Sequence, residues 1–167
     1  MHPIRDRIQE LRRVKARDLM PHPLNYRLHP KRQQDLLRQL FGDIGYADAL
    51  LARMLPDGRL QLIDGHLRAE TTPDQDVPVL VLDVTEAEAN KLILTLDPLA
   101  ALAETDAGNL DALLQATDAT GDLKAWLDER AEEAGIAPPD FDPSDPPLRL
   151  DQKPSVSCPA CGHDFTP

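Results

Sequence analysis

The chain has 167 residues, a formal net charge of −11 and only two cysteines, which lie three positions apart. This length fits one ordinary domain with appendages, and two close cysteines do not make the disulfide framework of a small secreted protein. No apolar run approaches the roughly 20 residues that cross a bilayer, and no apolar signal segment opens the sequence. We therefore expect a cytoplasmic protein that makes no contact with a membrane.

The charge is divided unevenly along the chain. Residues 1–40 contain 10 lysines and arginines against 4 acidic residues, whereas residues 41–167 contain 8 against 25. Since clustered positive charge attracts nucleic-acid phosphates, we expect any contact with DNA at the N-terminal segment. The alternative is a set of basic side chains that only solvate a helix. These side chains are Arg5, Arg7, Arg12, Arg13, Lys15 and Arg17.

The spacing of apolar residues at the N-terminus predicts a helix. Ile4, Ile8, Leu11 and Val14 follow one another at steps of four, three and three, which is helical periodicity. We therefore interpret residues 1–15 as a basic amphipathic helix, distinct from the domain that follows.

The next elements alternate between helix and short strand. A proline-rich loop at 20–30 precedes a helix at 33–41, which Gly42 is placed to end. The Pro-Asp-Gly turn at 56–58 predicts a hairpin. The elements around and after that turn are strands at 49–54 and 60–63, a short helix at 65–71 and a β-rich run at 77–84.

Three local signals fix the elements that follow the hairpin. Pro78 near the start of the β-rich run suggests a strand start or an edge strand. Thr85 and Glu88 have the spacing of a capping box, which opens a helix. Asp97 and Pro98 are expected to break this helix after about residue 95.

Beyond this helix the chain predicts a helical extension, a linker and a tail. Two helical patterns lie at 109–116 and 122–133. Residues 137–154 contain six prolines, which is typical of an extended linker. The expected divisions after the basic helix are therefore a mixed domain at 16–105, a helical extension at 106–135, a linker at 136–155 and a compact tail at 156–167.

The segment from Asp64 to Arg68, Asp-Gly-His-Leu-Arg, has the pattern of an anion site. It joins a predicted strand to a predicted helix, and the first amides of a helix lack intrahelical acceptors and carry the positive end of its dipole. Gly65 lets a ligand approach the backbone because it has no Cβ, and Arg68 can fork onto a phosphate. His66 can add a donor or carry a proton.

Asp64 is an unfavourable neighbour for a phosphate unless it binds a metal, caps the helix or acts as a base. If the chain is an enzyme, Asp64 and His66 are the candidate catalytic residues, since phosphoryl transfer needs held phosphates, a metal and a base. A structural interpretation makes Asp64 a cap, pairs Arg68 with Glu70 and packs the His66 ring. Further carboxylates, either assisting or only solvated, are Asp43, Asp48 and Asp97.

The order of elements is more specific than any single motif. It comprises a loop with Asn25 and Arg27, a helix, the Pro-Asp-Gly hairpin, Ile-Asp-Gly-His-Leu-Arg-Ala-Glu at 63–70, Val-Pro-Val-Leu-Val-Leu-Asp at 77–83 and a helix rich in Glu and Ala. This order resembles the N-terminal domain of ParB proteins and their sulfiredoxin-fold relatives over about residues 16–105. The resemblance implies an α+β fold, with a small mixed sheet and packed helices.

The resemblance also implies a function for these residues. Gly65, His66 and Arg68 would hold the phosphates of a nucleoside triphosphate, CTP or ATP, together with Mg²⁺. Asn25 and Arg27 match the family's Asn-Pro-Arg segment, with Tyr26 in place of proline. Members of this superfamily include CTP-dependent partition clamps, small-molecule kinases with a related turn, and sulfiredoxin.

The sequence departs from these relatives at informative places. Partition proteins have Gly-Glu-Arg-Arg at this turn and a following helix-turn-helix unit, which the acidic helices after residue 109 do not resemble. The reactive cysteine of sulfiredoxin falls near His66, so reductase chemistry is not expected. The segments at 64–70 and 94–99 are instead similar to the ParB-like domain of phage and prophage proteins, which is often beside or fused to DNA methyltransferases.

This resemblance implies a nucleotide-binding module in the processing, partition or modification of phage or mobile-element DNA. It would act through a partner such as a DNA methyltransferase. Two alternatives stay open: a small-molecule or nucleotide phosphotransferase that uses the 64–68 turn, and a zinc-stapled adaptor.

The tail Cys158-Pro-Ala-Cys161-Gly-His163 resembles one knuckle of a zinc ribbon. Zn²⁺ takes four tetrahedral ligands at structural sites, and this knuckle offers two thiolates and one imidazole. Two chains could each give a Cys-x-x-Cys pair to one ion, which would make zinc a clamp for a homodimer. A redox dithiol is the weaker interpretation because no thioredoxin-like context surrounds the motif.

Overall fold

The computed structural model describes residues 3–136 and two short strands further on. A short 3-10 helix at Ala16–Asp18 follows the first strand. The strands are β1 (Ile8–Lys15), β2 (Leu50–Met54), β3 (Leu60–Asp64), β4 (Asp76–Leu82), β5 (Val156–Ser157) and β6 (Asp164–Phe165), and the helices are α1 (Lys31–Asp43), α2 (His66–Thr71), α3 (Glu86–Ala100), α4 (Ala107–Gln115) and α5 (Gly121–Glu133).

Four strands form one mixed sheet in the order β1-β4-β2-β3. The β2 and β3 strands pair antiparallel across the Pro-Asp-Gly turn, which confirms the predicted hairpin. The β2 and β4 strands are parallel, and the connection between them carries β3 and α2. This mixed sheet with packed helices is the α+β fold that the sequence predicts.

The sheet has an apolar layer on each face because successive strand side chains point to opposite sides. On one face, Val77, Val79 and Val81 of β4 are fully buried together with Leu50 and Leu62. The other face packs against α3 through a second cluster, formed by Ile63, Leu82, Ala89 and Ile93. Burial on both faces makes β2, β3 and β4 the rigid base of the molecule.

The predicted N-terminal helix is wrong, because the structure has the strand β1 in that segment. The β1 strand pairs antiparallel with β4 from Ile8↔Leu82 to Lys15↔Asp76, so it completes the sheet and is not a distinct segment at 1–15. Without it, one edge of the apolar β4 strand would lack hydrogen-bond partners. A bulge between Ile8 and Glu10 interrupts the alternation of side chains, and further on Leu11 is exposed whereas Val14 packs against the core. The spacing of the apolar residues is therefore not that of one buried face.

Pro78 lies in a central strand, so its interpretation as the mark of an edge strand is wrong. The pairing of β4 with β2 begins one residue later, at Leu50↔Val79. Because proline has no N–H to give to a ladder, this position before the β2 pairing tolerates it. The other half of the interpretation is confirmed, since β4 begins nearby at Asp76.

Two helices continue past their predicted ends. The α1 helix includes Gly42, and the glycine with a positive φ of 87° is Gly45. The α3 helix opens with the predicted Thr85–Glu88 capping box but contains Pro98 and ends at Ala100. Helical bonding resumes after the proline, where the Ala101 N–H donates to the Asp97 carbonyl at 2.8 Å. Asp97 therefore stays on a helix.

The extension helices lie against α1 through polar contacts. Arg32 of α1 donates to both carboxylate oxygens of Glu129 at 2.7 and 2.6 Å. Gln39 donates to the Thr120 carbonyl at 2.8 Å and accepts from the Leu123 N–H at 3.1 Å. Neither α4 nor α5 has a buried residue, so hydrogen bonds and ion pairs, more than apolar burial, position this part.

The predicted linker and the residues of the zinc knuckle lie outside the described residues. The strands on either side of the knuckle, β5 and β6, pair antiparallel as Val156↔Phe165 and Ser157↔Asp164. Among the helices that the structure describes, none is both long and apolar enough to span a bilayer.

Candidate functional site

A cleft of about 310 Å³ lies between the loop before α1, the start of α1, the β3–α2 turn and the C-terminal half of α3. It brings together all five of the predicted phosphate-binding residues. The lining consists of Asn25, Arg27, His29, Gln33, Leu37, Asp48, Asp64, Gly65, His66, Leu67, Arg68 and Asp97.

Gly65 forms the tight turn between β3 and α2. Its φ is +93°, in the left-handed region that glycine adopts without steric cost. A Cβ at this position would lie 2.6 Å from Cγ of the fully buried Leu50 and 3.2 Å from Nε of Arg68. The turn thus requires glycine for its own packing, whether or not a ligand also approaches the backbone there.

Arg68 projects from α2 into the cleft, where its side chain is 17% exposed. Its Nη2 donates to Asp64 Oδ2 at 2.7 Å, and its Nη1 forms an ion pair with Asp48. The predicted structural alternative, in which Arg68 pairs with Glu70, is not the arrangement that the structure has. Arg68 is instead held in the cleft by two carboxylates.

The other wall of the cleft is the segment 21–29, which we call the cleft loop. Side chains alternate along its second half: Asn25, Arg27 and His29 line the cleft, whereas the residues that alternate with them are exposed and do not line it. These are Leu24, Tyr26 and Leu28, which are 68%, 54% and 92% exposed.

Arg27 ties the cleft loop to α3. Its Nη1 forms an ion pair with Asp97 Oδ2 at 2.8 Å, and its Nη2 donates to the Ile93 carbonyl at 3.3 Å. The guanidinium also lies over the Tyr26 ring, 5.3 Å from its centroid, where a cation–π attraction applies. The Arg27 N–H donates to Oδ1 of Asn25 at 3.3 Å, so both predicted residues of this loop are ordered together.

The charges that line the cleft do not favour a free anion. Two arginines face three aspartates, so the ionised side chains sum to −1 when the imidazoles are neutral. Each arginine is paired with at least one of these carboxylates. A phosphate would have to displace carboxylates from the arginines, and a cation would find oxygen ligands among the carboxylates thus released.

His66 is 5% exposed and is engaged on the protein side of the cleft. Its Nε2 accepts a hydrogen bond from the His22 N–H at 3.0 Å. Burial, helped by the charges of His22, His29 and Arg27 and opposed by Asp64, lowers the pKa of His66 to about 4. The ring is therefore neutral near pH 7, so His66 does not present an imidazolium to a phosphate.

The proposed catalytic pair is not assembled as an acid–base dyad. Within the described cleft, Asp64 accepts from Arg68 and His66 accepts from His22, and no hydrogen bond joins Asp64 to His66. Of the further carboxylates, Asp48 and Asp97 line the cleft, and Asp43 lies outside it.

Sequence reasoning did not propose three residues near the cleft: His22, His29 and Gln33. His29 Nδ1 lies 3.1 Å from Gln33 Oε1, and this pair fixes the junction between the cleft loop and α1. The polar–apolar alternation of residues 24–29 is a signal that could have predicted which loop side chains face inward. The contact between His22 and His66 joins residues 44 positions apart, and no local pattern marks it.

Within residues 3–136, no cluster of three or more histidine, cysteine or acidic side chains is arranged to hold a metal ion. The predicted zinc ligands Cys158, Cys161 and His163 lie outside the described residues. Zinc binding therefore stays a prediction from the sequence, and so does Mg²⁺ binding at the cleft.

Comparison with solved structures identifies a similar fold. The crystal structure of the C-terminally truncated chromosome-partitioning protein ParB from Caulobacter crescentus, complexed with CTP-gamma-S, matches with a TM-score of 0.51. The match covers 76% of this chain and 71% of that chain at 16% sequence identity. The fold is ParB-like. No family model and no curated protein matches the sequence, so the likeness concerns the fold.

Proposed function

We propose that the cleft binds the phosphates of a nucleoside triphosphate, CTP or ATP, as a complex with Mg²⁺. The observation that carries this proposal is that Arg27 and Arg68, from two different elements, reach one cleft beside the Gly65 turn. Support comes from the ParB-like fold, because the similar Caulobacter crescentus protein is complexed with a CTP analogue.

The two arginines supply the main anchoring in this proposal. Arg68 would leave its ion pairs with Asp64 and Asp48 and bind phosphate oxygens. Arg27 would likewise leave its ion pair with Asp97. Such a bond from guanidinium to phosphate has the planar, two-pronged geometry that also suits a carboxylate. Asn25 uses its Oδ1 for the Arg27 N–H, and its amide nitrogen can donate to the ligand.

Mg²⁺ belongs to the proposal because of the charge of the lining. A triphosphate is strongly anionic, and the ionised lining is itself negative by one charge, so nucleotide alone would be repelled. Asp48 and Asp64 are the residues that would hold the ion, since carboxylates are preferred ligands of Mg²⁺. The bound ion would supply charge neutralisation at the phosphates.

Binding, and not phosphoryl transfer, is the activity that the geometry favours. A general base must reach the proton that it removes, and His66 Nε2 already accepts from the backbone of His22. Nucleotide turnover that disappears in Asp64→Asn but persists in Asp43→Asn would instead establish the phosphotransferase, because only Asp64 lines the cleft.

A titration of nucleotides tests the proposal. We expect CTP or ATP with Mg²⁺ to raise the melting temperature and to bind in calorimetry, since ligand at 100 times its dissociation constant stabilises by about 2.7 kcal/mol. Arg68→Ala should reduce the shift strongly. Arg130→Ala, which removes an exposed ion pair with Glu133 on α5, should preserve it. If CTP, ATP and GTP all fail to stabilise the wild-type chain with Mg²⁺, the proposal is wrong.

We further propose that the module acts on phage or mobile-element DNA through a partner, such as a DNA methyltransferase. Few basic side chains of the N-terminal segment are free to contact DNA directly. Four of the six basic side chains of the N-terminal segment form ion pairs, with Glu88, Glu10, Asp76 and Asp74. Among the described residues, only Arg5 and Arg13 of this set are exposed and have no ion-pair partner.

DNA titration at low salt tests this point. Arg5→Ala with Arg13→Ala should weaken binding and lower the slope of log K against log salt by up to about two, because each phosphate contact contributes about one unit. Arg59→Ala is the control, because Arg59 lies on the hairpin in an ion pair with Asp57. Equal binding by the double variant and the control would exclude Arg5 and Arg13 as the contact.

The tail is proposed to bind Zn²⁺ through Cys158, Cys161 and His163, shared between two copies of the chain. Support comes from the Cys-x-x-Cys spacing and from the antiparallel pairing of the strands on either side, Val156–Ser157 with Asp164–Phe165. A strand pair brings the two ends of the knuckle together, which favours a compact ligand set.

A further inference from the structure

We infer that His22 and His66 are positioning residues: the His66 ring of α2 accepts the His22 N–H and holds the cleft loop against α2, and the His22 ring accepts the Leu24 N–H and shapes the loop from within. This inference rests on the proposed function, because the loop delivers Asn25 and Arg27 to the nucleotide. It assigns His66 a role that differs from both phosphate binding and proton transfer.

The first half of the cleft loop has few ways to be fastened. Its sequence from Pro21 to Leu24 alternates proline with other residues, and proline has no N–H. Only the N–H groups of His22 and Leu24 remain in this stretch. The His22 N–H lies in a buried hydrogen bond, and a buried backbone donor without a partner is strongly unfavourable, so this group needs an acceptor. The bond of the Leu24 N–H is partly buried, so its acceptor contributes less.

Both groups meet an imidazole. The His22 N–H donates to Nε2 of His66 at 3.0 Å, and the Leu24 N–H donates to Nδ1 of His22 at 3.2 Å. The two rings are each 5% exposed. We call this pair of bonds the histidine clasp.

The clasp is continuous with Arg27. The His22 carbonyl accepts from the Asn25 N–H at 3.0 Å, and Asn25 Oδ1 accepts from the Arg27 N–H at 3.3 Å. Residues from α2 to the cleft arginine are therefore linked by successive hydrogen bonds. At the other end, Met20 is fixed to β3 by two backbone bonds of 2.8 Å, with Leu60 and Leu62.

The geometry determines the proton on each ring. A backbone N–H can only donate, so the ring nitrogen that it meets must carry a lone pair. His66 must then be protonated on Nδ1, and His22 on Nε2. A doubly protonated imidazolium offers no acceptor, so the clasp requires both rings to be neutral and of opposite tautomer.

Substitution by Asn or Gln distinguishes a role of these histidines as hydrogen-bond acceptors from a role in packing alone. The Gln side chain can place its Oε1 near the position of Nε2, and the Asn side chain can place its Oδ1 near that of Nδ1. His66→Gln and His22→Asn therefore keep the required acceptor, whereas His66→Asn and His22→Gln misplace it. Truncation is less informative, because His66 also lines a second cavity of about 240 Å³ beside Leu19 and Ala69, which alanine would open.

Calorimetry with Mg²⁺ and CTP or ATP gives the first readout. We expect affinity within about twofold of wild type for His66→Gln and His22→Asn, and a loss of roughly fivefold for His66→Asn and His22→Gln, which is the equivalent of one hydrogen bond worth about 1 kcal/mol net. At each position, the amide that keeps the acceptor is compared with the amide that misplaces it, so His66→Gln is the control for His66→Asn and His22→Asn is the control for His22→Gln. Equal affinities within each pair would overturn the clasp.

Two measurements on the chain without nucleotide distinguish this inference from the proposed function. Nitrogen-15 shifts of the wild-type imidazoles should show a lone pair on Nε2 of His66 and on Nδ1 of His22. Hydrogen exchange should show protected amides at His22 and Leu24, with His22 protection lost in His66→Asn. If both hold and no nucleotide binds, the function is wrong and the clasp stands. Identical tautomers, or an unprotected His22 amide in wild type, would overturn the clasp even if nucleotide binds.

Discussion

The two arginines of the cleft are held in place by different means. Arg68 lies on α2, directly after β3 and the Gly65 turn. The residues of β3 are mostly buried, and the turn is packed against Leu50. Arg27 lies on an extended segment with exposed apolar neighbours, Leu24 and Leu28, and polar contacts to α2 and α3 fasten it. One wall of the cleft is fixed by the core, and the other by individual hydrogen bonds.

This difference predicts how each wall responds to change. Tight packing resists small displacements, because a core has few alternative arrangements. A segment held by exposed or partly exposed polar bonds opens locally at a lower free energy. If nucleotide binds as proposed, we therefore expect the cleft loop from Leu24 to Arg27, whose bonds are partly buried, to move more readily than the β3–α2 turn.

Gly65→Ala should have the largest effect on stability, because it changes the packing of the β3–α2 turn, the wall that is fixed by the core. The left-handed φ of +93° and the 2.6 Å approach to Leu50 Cγ both oppose a Cβ. We expect a loss of roughly 2–5 kcal/mol in the free energy of unfolding, combining about 1–2 kcal/mol for the backbone with about 1–3 kcal/mol for overpacking. Urea denaturation followed by circular dichroism measures it.

Gly45→Ala is the matched control for that variant. Gly45 has a similar φ of +87°, but nothing lies within 4 Å of where its Cβ would be. Only the backbone contribution of about 1–2 kcal/mol should remain. Equal losses in the two variants would show that the Leu50 contact does not stiffen the turn, and the contrast between the two walls would fail.

Arg27→Ala and Arg68→Ala should both weaken nucleotide binding, but they should differ in what else they change. Each removes charge-assisted bonds worth about 1.5–3 kcal/mol, or roughly tenfold to over a hundredfold in affinity. Without nucleotide, Arg27→Ala also releases the loop from Asp97 and Ile93, so the amides of residues 24–29 should exchange faster. Arg68→Ala should leave exchange in the β3–α2 turn unchanged. Hydrogen exchange by mass spectrometry resolves the two segments.

The same contrast explains which features the sequence could predict. The hairpin, the Gly65 turn and the Thr85–Glu88 capping box were predicted because each depends on residues a few positions apart. The fixed wall is made of such local signals. Sequence therefore predicted Gly65 and Arg68 as neighbours in a turn, although it did not foresee that Leu50 requires the glycine.

The features that were missed depend on distant partners. The β1 strand was predicted as a helix because its pairing with β4 joins residues as far apart as Ile8 and Leu82. The resemblance placed Asn25 and Arg27 at the site, but their fastening through His22 and His66 spans 44 positions. Asp48, which pairs with Arg68, is 20 residues from it. Such contacts follow from the assembled fold and leave no periodic trace.

Low pH should weaken the anchoring of α3, and we expect this effect to be smaller than that of the arginine variants. The α3 helix, which holds Arg27, is anchored at its start by Glu88, whose pKa is lowered to about 2 chiefly by the hydrogen bond from Arg7 and then by bonds from Thr85. A depressed carboxyl pKa stabilises the fold above its ordinary value near 4.5, and that contribution is lost as the pH falls toward 2. The stability gap between wild type and Glu88→Gln should therefore be constant above pH 5 and should shrink below it.

Urea unfolding from pH 7 to pH 2.5 measures this gap. Asp57→Asn serves as the control, because Asp57 also has a lowered pKa through Arg59 but lies on the hairpin turn. Protonation of Glu88 should in addition raise hydrogen exchange at the start of α3, which Asp57→Asn should not affect. A gap that does not change with pH would mean that the Arg7–Glu88 pair does not anchor the helix.

The smallest effect on the cleft is expected from the tail. Among the residues that the structure describes, neither wall includes one beyond Asp97, so we expect Cys158→Ser to leave nucleotide affinity unchanged while it removes zinc and the zinc-dependent dimer. Elemental analysis of purified protein and light scattering measure metal content and mass, and Ser157→Ala is a control next to the motif. Zinc retained in Cys158→Ser would exclude that cysteine as a ligand. A parallel fall in nucleotide affinity would show that the tail stabilises one wall of the cleft. The walls would then depend on the tail as well as on the core and on the hydrogen bonds of the cleft loop.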